Sequence, residues 1–385
     1  MTKKLLPIMI GAALTGSMTA AAADVTVFGQ IDTAIVNHDT DAGYVNTSKM
    51  PADWLSAITM RDTDDTNFQS NNSAIGFKGS EDLGNGLKAI FMLDFQYDLN
   101  NVNSTSLGDR DQWVGLAGNF GTVKVGASST SYKSHGAKID PLYRTAAQGR
   151  AWGQQSFLHG NAGEEGEGRA DNSIFYTSPD FNGLQVMAHY TLDSAEDACA
   201  PGSPVGCRED DDGYGIGASY TNGGILVFAD YLTNDGSADT NIHGDLSAWK
   251  VGGKYTMNNF AVYAQYEDID DDFGNQAGPG TSTELDMQLW HVAGSYTMGN
   301  NLLYVGYGSG SSDDLSTAIV GGSETEQTTL TVAGVHSLSK RTSVYLAYIA
   351  TEQDNDTALN NTLTNAPGVT KNVNDPEKDA IALGL

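Results

Sequence analysis

Apolar and polar residues alternate with a period of two along most of the chain. Between Ser73 and Asp94, Ile75 and Phe77 fall on one side, and Ala74, Gly76 and Lys78 on the other. After Gly84-Asn85-Gly86 the alternation resumes. Leu87, Ala89, Phe91 and Leu93 share a side; Lys88, Met92 and Asp94 share the opposite one. A period of two is that of a β-strand, and a Gly/Asn step between two such runs signals a hairpin. The same unit recurs. Runs at 109–117 and 122–127 flank Gly118-Asn-Phe-Gly121, and runs at 172–178 and 183–191 flank Pro179-Asp-Phe-Asn182. Four further pairs follow: 214–220 with 225–232, 248–255 with 260–266, 285–296 with 302–308, and 328–336 with 342–350. With 24–36 at the start and 379–385 at the end, sixteen strands are predicted.

The connections alternate between short and long. Short ones hold a few residues, mostly Gly and Asn. Long ones are acidic: 193–213, 234–247, 268–284, 309–327 and 352–378. Two more long stretches, 38–69 and 128–168, show no clear periodicity. An apolar sheet face must be covered or must face lipid. Short turns at one end, long loops at the other and an even strand count are the layout of an outer-membrane barrel. The pattern therefore predicts an all-β fold: a 16-stranded antiparallel transmembrane β-barrel with short periplasmic turns and long extracellular loops.

Composition sharpens this. Only 18% of residues are charged, yet 48 acids against 20 bases give a formal net charge of -28. So acidic a chain is unsuited to nucleic acid, whose phosphates call for Lys and Arg. Lining a cavity, it would attract cations. Residues 1–23 carry Lys3 and Lys4, then an apolar core, then Thr19-Ala-Ala-Ala-Ala23. This predicts a secretory signal peptide cut before Asp24, with the barrel over 24–385. Beyond it no apolar run reaches the roughly 18 residues of a transmembrane helix.

Cys199 and Cys207 lie in one polar stretch of an exported chain, which predicts a disulfide within an outer loop rather than a metal site. The clusters Asp62, Asp64, Asp65, then Glu209–Asp212, then Asp268, Asp270, Asp271, Asp272 offer oxygen ligands for Ca²⁺ or Mg²⁺, but they lack EF-hand spacing and read as solvated loop charge. The seven histidines are scattered, and neither a nucleophile elbow nor HExxH occurs. No enzyme activity and no cofactor are expected. Aromatic residues near strand ends, namely Phe28, Trp113, Tyr190, Tyr231, Trp249, Tyr255, Tyr266, Trp290, Tyr296, Tyr304, Tyr345 and Tyr348, suit interfacial girdles, with a sugar-stacking slide as the sharper alternative.

Several blocks carry a family resemblance. They are Val27-Phe-Gly-Gln-Ile-Asp32, Ser73 to Ala89, Gln112 to Gly126, and Asp171-Asn-Ser-Ile-Phe-Tyr-Thr-Ser-Pro-Asp-Phe-Asn-Gly-Leu184. In this order and spacing the chain resembles the general-diffusion porins of Gram-negative bacteria over essentially its whole mature length. The resemblance implies a homotrimer in the outer membrane, in contact with its lipids and lipopolysaccharide, around a water-filled pore for small hydrophilic solutes and ions. It implies that the third long loop, 128–168, folds inward. Asp140, Tyr143 and Arg144 would then stand at the constriction, facing Lys78, Lys88, Asp94, Lys124 and Arg169 on the wall. Two of the family's wall arginines are replaced here, by Ala74 and Ala127. Together with the acidic balance this predicts a cation-preferring pore, unless Lys78, Lys88, Arg110, Lys124, Lys133, Lys138, Arg144 and Arg150 compensate. A substrate-selective channel of the same fold and a surface interaction barrel are the alternatives. Family members end in an aromatic residue soon after a Gly-Leu pair, so a sequence stopping at Gly384-Leu385 is expected to be truncated.

Overall fold

A computed structural model describes residues 24–42, 44, 62–100, 108–158, 168–192, 213–234, 246–273, 283–313, 325–355 and 375–385. The signal segment 1–23, the acids 209–212 and the cysteines Cys199 and Cys207 lie outside the described residues.

The strands are β1 (Asp24–Gln30), β2 (Thr33–Thr40), β3 (Thr63–Ser70), β4 (Ala74–Gly84), β5 (Leu87–Gln96), β6 (Gly108–Gly118), β7 (Gly121–Ser129), β8 (Arg169–Thr177) and β9 (Leu184–Thr191). They continue as β10 (Gly213–Asn222), β11 (Ile225–Asn234), β12 (Leu246–Met257), β13 (Phe260–Phe273), β14 (Thr283–Met298), β15 (Asn301–Asp313), β16 (Thr325–Ser337), β17 (Ser343–Asn355) and β18 (Glu377–Gly384). All belong to one antiparallel sheet of 18 strands. From β4 to β18 each strand pairs with the next. β1 pairs with β4, β2 with β3, and β18 with β2.

Eighteen strands appear where sixteen are predicted because the predicted run 24–36 divides into β1 and β2 and because β3 forms where no strand is expected. β1 and β2 separate at Ile31-Asp32, and β3 and β4 at 71–73. The register steps from Gln30↔Ala74 to Thr33↔Ser70 across this point, as at a bulge. Asn72 takes the left-handed φ of 51° there. The freed polar groups find partners: Ser73 Oγ accepts from the Asp32 amide (3.1 Å) and donates to its carbonyl (3.0 Å), and Asn71 donates to the Asp32 carboxylate at 2.8 Å. β3 lies inside the stretch 38–69, read above as loop. Its first half, Thr63-Asp-Asp-Thr66, is polar and exposed, so hydrophobic alternation cannot reveal it.

The opening hairpin forms as predicted. Gly84, Asn85 and Gly86 have φ of 86°, 54° and 79°, a left-handed run that glycine and asparagine tolerate and that matches strand twist. Asp82 accepts from the Gly84 amide at 2.8 Å.

Burial of the sheet is inverted relative to a soluble protein. One face is apolar yet exposed: Val114 is 66% accessible, Val262 56% and Leu346 57%. The opposite face buries Lys250, Glu267, Thr329, Thr331, Thr351 and Gln353. Soluble folds bury aliphatic side chains and expose charge; this arrangement suits a sheet with lipid on its apolar side. On that side aromatic pairs stand in two rows. Tyr214–Tyr231, Trp249–Tyr266 and Trp290–Tyr307 lie near the long connections, at 6.1, 5.3 and 5.4 Å between ring centroids. Phe260–Tyr296 lies near the short turns, at 4.5 Å. Val251, Val262, Val292 and Val305 lie between the rows. The spacing is that of interfacial girdles; Phe28, Trp113, Tyr304 and Tyr345, expected there as well, fall by strand alternation on the opposite face instead.

Candidate functional site

The segment between β7 and β8 lies against the polar face of the sheet. It opens with a short helix, α1 (Ser131–Ala137), capped by Thr130, whose hydroxyl accepts from the Lys133 amide at 3.2 Å. A 3-10 turn follows at Gly149–Trp152. The helix was not foreseen: at this length, without an apolar stripe, it has no sequence signature.

Three charged side chains hold α1. Asp230, Lys250 and Glu267 are direct register partners on β11, β12 and β13, so they form one row of acid, base and acid. His135 Nδ1 meets both Asp230 oxygens at 2.9 and 3.0 Å. Lys250 Nζ lies 3.8 Å from the centre of the Tyr132 ring. Glu267 accepts from Tyr132 Oη (2.9 Å), Ser156 Oγ (2.8 Å) and the Phe157 amide (2.9 Å). All three charged groups are buried. Buried charge is tolerated when it is paired and hydrogen-bonded, and here the pairing partner is the segment itself.

Further along, Gln154 donates to the Gly306 carbonyl and to Thr331 Oγ1, both at 3.0 Å. Gln327 and Thr329 both donate to the Trp152 carbonyl at 3.2 Å. Gly308 makes the close approach possible, since a Cβ there would sit 2.1 Å from the Gln154 carbonyl oxygen. Leu142, Ala147 and Trp152 pack on Ala34, Val36, Ala347, Ile349 and Ala382. At the tip, the Ala146 amide donates to Tyr345 Oη (3.1 Å), which donates to Asp32 (3.1 Å), tying the segment to the strand break.

The sequence-predicted residues separate into groups. Asp140 is buried; its two oxygens accept from the Leu142 and Gly149 amides, each at 2.9 Å. Burial raises its carboxyl above the ordinary range, and the two amide bonds and Arg150 oppose that rise. Tyr143 carries the guanidinium carbons of Arg144 and Arg150 at 5.6 and 5.1 Å from its ring centre. Arg144, at a left-handed φ of 69°, donates to Gln30 on β1 at 3.3 Å. On the wall, Arg110 binds Asp94 at 3.0 Å and Gln96 at 3.1 Å. Arg169 binds Asp111 at 2.5 Å. Lys124 donates to Ser128 at 2.7 Å and lies 5.0 and 5.2 Å from the rings of Trp113 and Phe175. Lys78 lies 5.5 Å from the Phe28 ring. Lys88 stands apart: exposed, opposite Asp82, beside the tight turn.

Sequence reasoning missed Asp111, Asp230, Lys250 and Glu267. Each is a charged residue within a strand, and only Asp230 and Lys250 stand alone among uncharged neighbours, which was the one available signal. That the last three form a single row depends on register. Among the described residues no group of three or more His, Cys, Asp or Glu could hold a metal.

A model of the family described as Gram-negative porin matches residues 10–356. Among curated relatives, the major outer membrane protein P.IB of Neisseria meningitidis serogroup A is 33% identical over 220 residues, 57% of this chain and 56% of the relative. P.IA of serogroup C is 29% identical over 243 residues, 58% of each. The chain thus spans under two thirds of the length of these relatives. Among solved structures, an anion-selective porin from Comamonas acidovorans matches with a TM-score of 0.65 at 19% identity, covering 94% of this chain and 98% of the other. A trimer form of Vibrio cholerae OmpT matches at 0.55 and 16%, covering 94% and 98%.

Proposed function

The chain belongs to the Gram-negative porin family of outer-membrane proteins, and on that premise we propose that its sheet closes into a sixteen-stranded barrel around a water-filled passage for small hydrophilic solutes and ions. Reading β1 with β2, and β3 with β4, as single kinked strands gives that count, and the β18–β2 pairing supplies the closure. The observation that carries the reading is the inverted burial: charge and amide inside, exposed aliphatic and aromatic side chains outside. The segment 130–158 is then the neck. Lys78, Asp94, Lys124 and Arg169 form its wall, Tyr143 and Arg144 its inner edge, and Asp140 the brace that keeps that edge folded. Lys88 belongs to the turn-side mouth. Residues 1–23 are the cleaved leader, and the working unit is a homotrimer, an inference that the trimer form of the Vibrio cholerae neighbour supports.

The net acid of the chain does not set the selectivity of this neck. Asp268, Asp270, Asp286, Glu326, Glu352 and Asp354 fall on the outward face by strand alternation, beyond the upper aromatic row. Around the neck, Lys78, Arg110, Lys124, Lys138, Arg144, Arg150, Arg169 and Lys250 outnumber Asp32, Asp94, Asp111, Asp140, Asp230 and Glu267. A narrow passage with excess base raises anion occupancy. The neck therefore favours small anions, the opposite of what composition and the absent arginines led one to expect. The test is planar-bilayer conductance with a KCl gradient. Ohmic conductance with a chloride-favouring reversal potential is expected; potassium preference overturns the selectivity, and absence of conductance overturns the pore.

A further inference from the structure

The wall formed by β1 and β4–β9 carries a band unlike the rest of the polar face. Elsewhere the aromatic side chains of that face, Phe228, Tyr263, Tyr304 and Tyr345, are buried and cluster with the segment 130–158. Here the face presents Phe28, Lys78, Met92, Trp113, Lys124, Phe175 and His189. Register makes the band continuous. Lys78 is opposite Met92, and Met92 is opposite Trp113. Lys124 is opposite Phe175, and Phe175 is opposite His189. Trp113 and Lys124 close the gap between the two rows at 5.0 Å. Phe175 and His189 stack at 5.6 Å with 30° between their planes.

Glycines let the rings lie flat along the wall. A Cβ on Gly76 would meet the Phe28 ring at 2.4 Å, and one on Gly215 would meet the His189 ring at 2.4 Å. The rings therefore show faces, not edges, to whatever passes. Most of the band is partly exposed: Phe28, Met92, Trp113, Lys124 and His189 are half-buried and Lys78 is exposed. The hydrogen bonds that anchor the segment 130–158 run to β1, β11, β13 and β15–β17, leaving this band as wall.

We propose that this band binds and conducts planar aromatic carboxylates: the ring lies on Trp113 and its neighbours, and the carboxylate reaches the ammonium group of Lys124, 5.0 Å from the Trp113 ring. Charge decides among occupants. Asp111, the acid that interacts with Lys124, also binds Arg169 at 2.5 Å, so this group of two bases and one acid carries net positive charge. A cation would be repelled. A neutral sugar would gain stacking alone. An aliphatic anion would gain only charge, and an exposed ion pair contributes little by itself. An aromatic anion gains both contributions, since ring stacking adds to area burial. The proposal rests on the pore reading above.

The test uses the full-length protein in planar bilayers, with benzoate as probe. Acetate controls for charge without a ring, and benzyl alcohol for a ring without charge. Benzoate is expected to reduce KCl current saturably, at about two- to tenfold lower concentration than acetate, which lacks the stacking, and about two- to fivefold lower than benzyl alcohol, which lacks the charge. Lys124→Gln and Trp113→Ala are each expected to raise the half-effect concentration of benzoate about two- to tenfold. Trp113→Phe is expected to keep most of the effect, and Lys340→Gln, in an exposed turn, all of it. KCl conductance of every variant reports a folded pore. Conduction of KCl without discrimination between benzoate and acetate, or with variants indistinguishable from wild type, overturns this inference alone. Absence of KCl conductance in the wild type overturns the pore reading and this inference with it.

Discussion

Removing the Glu267 carboxylate tests how the neck is held. Glu267 has no exposed surface and accepts three hydrogen bonds from the segment, through Tyr132, Ser156 and the Phe157 amide. Its register neighbour Lys250 is also buried. Glu267→Ala leaves three donors without their acceptor and takes the neighbouring acid from Lys250. Breaking a buried pair by deleting one partner costs about 3–5 kcal/mol. Those contacts are made to the segment, so the loss falls on its attachment and not on the strand ladder. A shift of that size moves a two-state attachment by a factor of roughly a hundred to several thousand. A segment that is almost always seated then leaves its seat measurably. Glu267→Gln, which keeps an acceptor but loses the charge, is expected to cost about 1.5–3 kcal/mol, the scale of a charged hydrogen bond. Single-channel recording should show larger and noisier conductance for the alanine variant, with the glutamine variant in between. Liposome swelling should show entry of larger sugars. The melting of the barrel, read by its heat-modifiable gel migration, should hardly move. An alanine variant with wild-type conductance, noise and sieving refutes the anchoring role. A barrel melted together with its segment refutes the separation of the two.

Gly308→Ala forces a Cβ to within 2.1 Å of the Gln154 carbonyl oxygen and should raise channel noise, whereas Gly334→Ala, whose nearest neighbour is Leu303 at 3.8 Å, should behave as wild type. Lys124→Glu reverses one charge of the neck wall and should move the reversal potential toward potassium; a salt-gradient bilayer measurement reads this directly. Asp140→Asn should flatten the pH dependence of the segment. The Asp140 carboxyl is raised by burial, so its protonated form stabilises the fold below the ordinary carboxylate range, and that contribution is lost as pH rises through its raised value. Channel noise recorded from acid to neutral pH should therefore increase in the wild type and stay level in the variant.

Much of the architecture is legible in the chain itself. Period-two alternation around Gly84-Asn85-Gly86 determines a hairpin and its two faces, because a strand offers only two sides and left-handed φ values select Gly and Asn. The alternation of short and long connections determines which strand ends lie together. Where the pattern failed, the reason is local. β3 begins with four polar, exposed residues. α1 is too short to show a helical period. The break at Asp32 and Asn71 is made by side-chain bonds across 39 residues. Charge is read differently by composition and by structure. Composition sums every acid, but selectivity depends on which acids face the passage, and alternation turns many of them outward. The site residues show the same division. Lys78, Asp94 and Lys124 could be assigned to the polar face from the sequence, since parity along a strand is local. That Asp230, Lys250 and Glu267 form one row, that the row clasps His135 and Tyr132, and that Asp140 braces the segment from within were decided only by the tertiary structure. Register between strands and the seating of a loop are set by contacts among residues far apart in the chain, and no local pattern encodes them.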